Sequence, residues 1–351
     1  MRSISMHGIE PGWLGLCCIL LLVVINARPL LAAAREVAPP VAAPYATDRK
    51  LLPTESELLD WKDSARNRGI PVKVYFPADG AGPVPVIVFS HGLGGTREGY
   101  EYLGRQWAAH GYVSIHLQHA GSDDSVWRGQ TQPAESMVRA ASLQNALDRD
   151  KDVKFAIDQL DSLNKNDAKL KGKLDVKTIG MAGHSFGAET TLLIAGQQIG
   201  AGGPIAQRLS ANLADNRIKA AIPMSASVPA IRNNLDSVFA QIRVPIFYMT
   251  GTLDDSPTGD TKAADRRLDY DHTKASAAAY LLTFTGGDHM VFSGRLQEAA
   301  GRKDDLFQKD IRLSSTAFWD AYLKNDMTAK KWLNDGGFKN ALGDDGAFEK
   351  K

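Results

Sequence analysis

The sequence predicts a doubly wound α/β fold, with a mostly parallel sheet covered by helices on both faces and an antiparallel hairpin at its start. Three observations predict it. Short, nearly continuous apolar runs recur along the chain, as strands buried on both faces require. Helix-length stretches separate them, which is the alternation of a parallel sheet with crossover helices. A serine sits between two glycines where one apolar run turns into a helical one, in "TIGMAGHSFGAETTLLIAG".

The chain of 351 residues is 44% hydrophobic and 23% charged, a composition that excludes a disordered polypeptide. Arg2 precedes the apolar run "WLGLCCILLLVVI", which is short for a bilayer span of about 20 residues. The small residues Ala32 to Ala34 follow, so residues 1–34 read as a cleaved signal peptide and give an exported protein, periplasmic or extracellular, with no stable membrane anchor. Removing them takes away Arg2, Arg28 and Glu10 and brings the formal charge from +1 to zero, which argues against a nucleic-acid partner. Both cysteines, Cys17 and Cys18, leave with that segment, so the mature chain has neither a disulfide nor a thiolate nucleophile. Residues 35–50, "REVAPPVAAPYATDRK", read as a proline- and alanine-rich tail, and 51–351 as one catalytic domain.

"ELLDWKDSARNRGIPVKVYFPAD" predicts the hairpin, with its turn over 62–69 and alternation in "VKVYF". Strands follow over 84–90, 112–118, 178–183, 218–225, 245–251 and 279–286, with helices over 100–110, 133–163, 188–198, 229–241 and 313–324. No repeat at solenoid or propeller period appears, and the short span between the serine and the next strand leaves no room for a large cap domain.

Gly183-His184-Ser185-Phe186-Gly187 stands between a strand and a helix, the context in which G-x-S-x-G marks a nucleophile on a sharp turn. A hydroxyl attacks only when a base removes its proton, and the base needs an orienting carboxylate further along the chain. Of the two histidines beyond Ser185, His272 lies in the charged run "DRRLDYDHTK" and reads as solvated, leaving His289 in "TGGDHMVF" as base. "MTGTLDDSP" offers Asp254 and Asp255 as the acid, with Asp254 preferred and Asp288 a third candidate whose simpler role is a loop cap. The glycine-rich "FSHGLGGTREGY" supplies the Leu93 amide as an oxyanion donor beside that of Phe186. As a dinucleotide loop it fails, because Arg97 stands at the third glycine position.

His116 and His119 with Asp123 or Asp124 lack any further metal-ligand spacing and read as hydrogen-bonded loop residues, so no metal or cofactor is expected. Trp127 and Met290 are candidates for the pocket wall. Arg266, Arg267 and Asp152 read as surface or helix salt bridges.

The segments "PVIVFSHGLGGTREGYEYLGRQWAAHGYVSIHLQHAGSDDS", "GMAGHSFGAET", "MTGTLDDSP" and "GGDHMVFSG" resemble the bacterial α/β-hydrolases grouped with dienelactone hydrolases and platelet-activating-factor acetylhydrolases. The resemblance implies the α/β-hydrolase fold, a triad of Ser185, Asp254 and His289, and oxyanion donors at Leu93 and Phe186. It departs from dienelactone hydrolase, which carries cysteine where this chain has Ser185. The expectation is an exported serine esterase for small or medium acyl groups, with a small-molecule ester as partner and no cofactor. A polyester or aromatic-ester hydrolase is a second reading, and a binding protein with an idle triad a third.

Overall fold

The computed structural model describes residues 51–80, 82–199, 213–229, 232–274, 278–295 and 303–351. The expected signal peptide and tail lie outside them, as does part of the span on which the expectation of no large cap rests.

A nine-stranded sheet runs in the order β1-β2-β4-β3-β5-β6-β7-β8-β9. β1 (Thr54–Asp63) and β2 (Arg68–Pro77) form the expected antiparallel hairpin, and β2 continues antiparallel onto β4 (Val113–Leu117). β3 (Val84–Ser90), β4, β5 (Leu174–His184), β6 (Ile218–Met224), β7 (Ile246–Leu253) and β8 (Ala279–Asp288) are mutually parallel. β9 (Gly346–Lys350) closes the edge antiparallel to β8.

Residues along β3 alternate between two cores, because successive side chains leave opposite faces of a strand. Ile87 and Phe89 join a layer containing Trp107 of α1 (Glu101–Ala109) and Trp319 of the C-terminal helices. Val86 and Val88 join a layer under α3 (Leu143–Asn166), whose Val153, Ala156 and Leu160 are buried there. α4 (Phe186–Ala195) packs on β5 and β6, and its Ala188 and Leu192 join a third buried cluster that extends to residues of β7 and β8.

Three differences from the sequence expectation have local causes. The helix expected over 133–163 is two helices, α2 (Pro133–Ala140) and α3. Ser142 adopts an extended conformation and its hydroxyl accepts from the Asn145 amide, restarting the helix as an N-cap. The helix expected over 229–241 is a short α5 (Leu235–Phe239) among the described residues, and a second short helix, α6 (Arg267–His272), follows β7. The C-terminal helix begins earlier than expected, as α7 (Asp304–Leu323), and is followed by α8 (Met327–Asn334) and α9 (Gly337–Leu342). Asp326 caps α8 by accepting from the Thr328 and Ala329 amides.

Candidate active site

β5 ends at His184 and α4 starts at Phe186, so the whole reversal falls on Ser185, held at φ 56° and ψ −121°. A non-glycine residue at positive φ is costly and persists only where the surroundings impose it. The flanking glycines are sterically required. A Cβ on Gly183 would lie 2.2 Å from the carbonyl oxygen of Gly187, and one on Gly187 would lie 1.9 Å from that of Ser90. The amide of Ser185 is anchored to the Met224 carbonyl at 2.9 Å, and its hydroxyl stands at the top of the sheet.

The loops after β7 and β8 bring Asp254 and His289 to it. Ser185 Oγ donates to His289 Nε2 at 2.9 Å, and His289 Nδ1–H points to Asp254 Oδ1 at 2.9 Å. Asp254 is fully buried; Thr250 Oγ1 donates to its second carboxylate oxygen at 2.9 Å. Asp255 points away, exposed, where it pairs with Lys262 and accepts from the Ala263 amide. Asp288 caps the turn after β8 by accepting from Met290 N, and His272 pairs with Asp236 near the surface.

Two residues beside the triad were not expected there. Ser225, at the end of β6 with φ 57°, donates to Asp254 Oδ1 at 2.7 Å and lies 2.8 Å from His289 Nδ1. Arg266 is not a surface salt bridge. Its side chain is buried, with Nε 3.0 Å from Asp254 Oδ1, Nη1 donating to the Ser225 and Ala226 carbonyls, and Nη2 3.3 Å from His289 Nδ1. In sequence it stands in a polar run with nothing to show that the turn before α6 folds back beneath the β6 and β7 ends. Arg267, by contrast, is on the surface between Asp271 and Glu349.

The β3 loop faces the serine from the other side. The amides next to Leu93 are committed: Gly92 N–H donates to Tyr100 Oη at 3.2 Å, Gly94 N–H to the Ser122 carbonyl at 2.9 Å, and Gly95 N–H to the Gly92 carbonyl at 3.0 Å. Phe186 is the first residue of α4, where an amide has no intrahelical acceptor. Beneath the loop, Arg149 is fully buried; it donates to Ser90, Ser122, Thr190 and the His91 carbonyl and stacks 4.6 Å over the Phe186 ring. Burial lowers its pKa to about 9.

Both ring nitrogens of His116 and His119 are within hydrogen-bond distance of protein atoms: Gly99 O and Ser114 Oγ for His116, Ser90 Oγ and Asp152 for His119. Asp152 is a buried node, correcting its reading as a helix salt bridge. Burial works against its charge, but hydrogen bonds from His119 and Arg68 prevail and hold its pKa at about 2.

The serine and histidine open into a cavity of about 440 Å³, whose lining includes Leu93, Trp127, Met137 and Met290. Both residues expected at the pocket wall are there. Trp127 is also tied in place, its Nε1–H donating to the Gly94 carbonyl at 2.8 Å.

Residues 66–137 match the family model for platelet-activating factor acetylhydrolase, isoform II. The chain is 24% identical over 300 residues to the platelet-activating factor acetylhydrolase of Cavia porcellus. In fold, the chain is an α/β-hydrolase. The alignment takes in 75% of this chain and 63% of the guinea-pig protein, so the chain spans less than two thirds of that relative's length. The family match covers the β3 loop and its surroundings, ending before the serine turn.

Proposed function

We propose that the protein is a serine hydrolase of carboxylic esters with small or medium acyl groups. The observation that carries this reading is the unbroken hydrogen-bond chain from Ser185 through His289 to Asp254, opening on a cavity whose lining includes Leu93, Trp127, Met137 and Met290. Ser185 Oγ attacks the ester carbonyl as His289 Nε2 takes its proton. Asp254 and Ser225 hold the imidazole so that Nδ1 keeps its hydrogen and Nε2 its lone pair. The Leu93 and Phe186 amides receive the developing oxyanion, each such donor being worth roughly 10²- to 10³-fold in turnover. His289 then protonates the leaving alcohol, and water removes the acyl group by the same steps in reverse. No cofactor enters.

Cavity size supports the acyl preference, and the acetyl group in the relative's name agrees with it. The test combines fluorophosphonate labelling, read by mass spectrometry, with hydrolysis of p-nitrophenyl acetate, butyrate and octanoate. Label on Ser185 with fastest turnover of the short esters is expected. An unlabelled protein without turnover would leave the fold serving as a binding module. The same reading places the enzyme outside the cytoplasm after cleavage near Ala34, which N-terminal sequencing of the recovered protein checks.

A further inference from the structure

Tyr100 lies in the loop between β3 and α1, buried, at φ 61°, a left-handed conformation that non-glycine residues rarely hold. Its hydroxyl receives the Gly92 amide at 3.2 Å and lies 2.8 Å from His184 Nδ1. His184 Nε2 in turn lies 2.9 Å from the backbone carbonyl of His289. The ends and a neutral ring together fix the direction of the chain: the Gly92 amide can only donate and the His289 carbonyl can only accept, so Nε2 carries the hydrogen and leaves Nδ1 without one. His184 Nε2–H therefore donates to His289, Nδ1 is the acceptor, and Tyr100 Oη–H donates to it while accepting from Gly92. This requires a neutral imidazole, and burial holds the His184 pKa well below its ordinary value.

Three segments that carry groups of the proposed chemistry are each touched once. Gly92 precedes Leu93, His184 precedes Ser185, and the carbonyl belongs to His289 itself. The packing at Gly92 shows how close the three come: a Cβ there would lie 3.2 Å from Tyr100 Oη, 3.3 Å from Ser185 Cβ and 3.4 Å from His184 Nδ1.

We infer that Tyr100 and His184 are positioning residues, forming a hydrogen-bonded strut that sets the distance between the Leu93 amide, the Ser185 hydroxyl and the His289 imidazole. The inference rests on the esterase reading. Neither side chain hydrogen-bonds to Ser185 Oγ or to the His289 imidazole; they act through the backbone on either side, and the His184 ring also packs against that imidazole with centroids 4.8 Å apart. Misplacing a reacting group by about 1 Å costs on the order of 10²-fold in rate, so a strut spanning three loops has a measurable effect.

Tyr100→Phe keeps the ring packed against Phe89, whose centroid is 4.7 Å away, and removes only the hydroxyl. Turnover of p-nitrophenyl acetate per active site, counted by the p-nitrophenol burst, is expected to fall about 10- to 100-fold with KM within about threefold. Affinity for a trifluoromethyl ketone, which forms a tetrahedral adduct on the serine, should fall in step with kcat/KM. A hydroxyl that only stabilises the fold would lower the melting temperature and the burst amplitude and leave kcat per titrated site unchanged, overturning the inference. His184→Gln is the second variant: its amide still reaches toward His289 while Tyr100 loses its acceptor, and the same fall in kcat is expected. Failure of both variants to fold would assign the pair to stability and also overturn it. If the wild type shows neither Ser185 label nor burst, the esterase reading itself has failed; wild-type activity with an undiminished Tyr100→Phe refutes only the strut.

Discussion

Arg149 and Arg266 lie on opposite sides of the serine turn, both buried, and their surroundings differ in kind. Arg149 sits among dipoles. Its hydrogen-bond and ring partners are three hydroxyls, one carbonyl and an aromatic face; Asp152 and Glu189 act on it electrostatically, but no carboxylate is in ion-pair contact with it among the described residues. Arg266 sits among charges: Asp254 at 3.0 Å, with Asp269 and Glu189 also acting on it electrostatically. Burial raises the pKa of both carboxyls, Asp269 well above its ordinary value. The dipole-lined side presents backbone amides, which need to be fixed in place. In the proposed reaction the charged side handles a proton, which needs a fixed field. A guanidinium serves both because its planar fork can satisfy several acceptors at once.

The largest losses should therefore come from the charged side. Ser185→Ala is expected to lower kcat by roughly 10⁴- to 10⁶-fold and Asp254→Asn by about 10⁴-fold, with substrate affinity little changed, in steady-state ester hydrolysis. An Asp254→Asn enzyme within tenfold of wild type would mean that Ser225 and Arg266 hold the imidazole without the carboxylate.

Removing each arginine sharpens the contrast. Arg266→Met strips the cation from a fully buried ion pair and should cost about 3–5 kcal/mol of stability in urea denaturation. Arg149→Met strands neutral acceptors instead, at about 1–3 kcal/mol for each buried group left unsatisfied, and its activity loss should survive correction for folded protein because the Phe186 amide moves. Equal losses of stability with unchanged activity per folded molecule would erase the distinction.

Acid separates the two sides further. Burial holds the His116 pKa at about 3 and that of His119 at about 4, and His91 well below its ordinary value, all near or beneath the β3 loop. The folded pKa values are lowered, so the unfolded chain takes up protons first as pH falls. The stability these neutral imidazoles contribute is complete above about pH 6.5 and drains away toward pH 4 and 3. Wild-type unfolding free energy should fall steadily over that window, and His116→Gln should flatten the slope, amounting to about 1–3 kcal/mol at pH 4 by urea titration.

β3 was readable to the residue, since a run of seven apolar-rich positions between Gly-Pro and His-Gly leaves little choice. Ser185, His289 and Asp254 were readable because chain order and strand ends constrain where they stand. Arg266 and Ser225 were not, because a buried arginine and an exposed one look alike in a polar run, and the fold-back that buries Arg266 is a tertiary event. β9 was missed for a related reason: "GAFEK" is an edge strand with one large apolar residue, Phe348, which packs against Phe247, Tyr280 and Phe338. The Tyr100–His184 contact joins residues 84 positions apart and left no pattern at all.

The smallest effect is expected at the residue beside the triad acid. Asp255 is more than half exposed, holds Lys262 at 3.1 Å and accepts from the Ala263 amide, which together with the Lys262 contact lowers its pKa below the usual carboxylate value. An exposed pair of this kind is screened by solvent and adds little. Asp255→Asn keeps an acceptor for Ala263 and loses only the charge, so kcat/KM should stay within about twofold of wild type. Asp254 and Asp255 differ by one position in sequence, yet the turn after β7 sends one into the charged side of the site and the other into solvent. A loss at Asp255 approaching that of Asp254→Asn would show that this loop can exchange the two carboxylates, and that the charged side is held less firmly than the hydrogen bonds of Thr250, Ser225 and Arg266 to Asp254 imply.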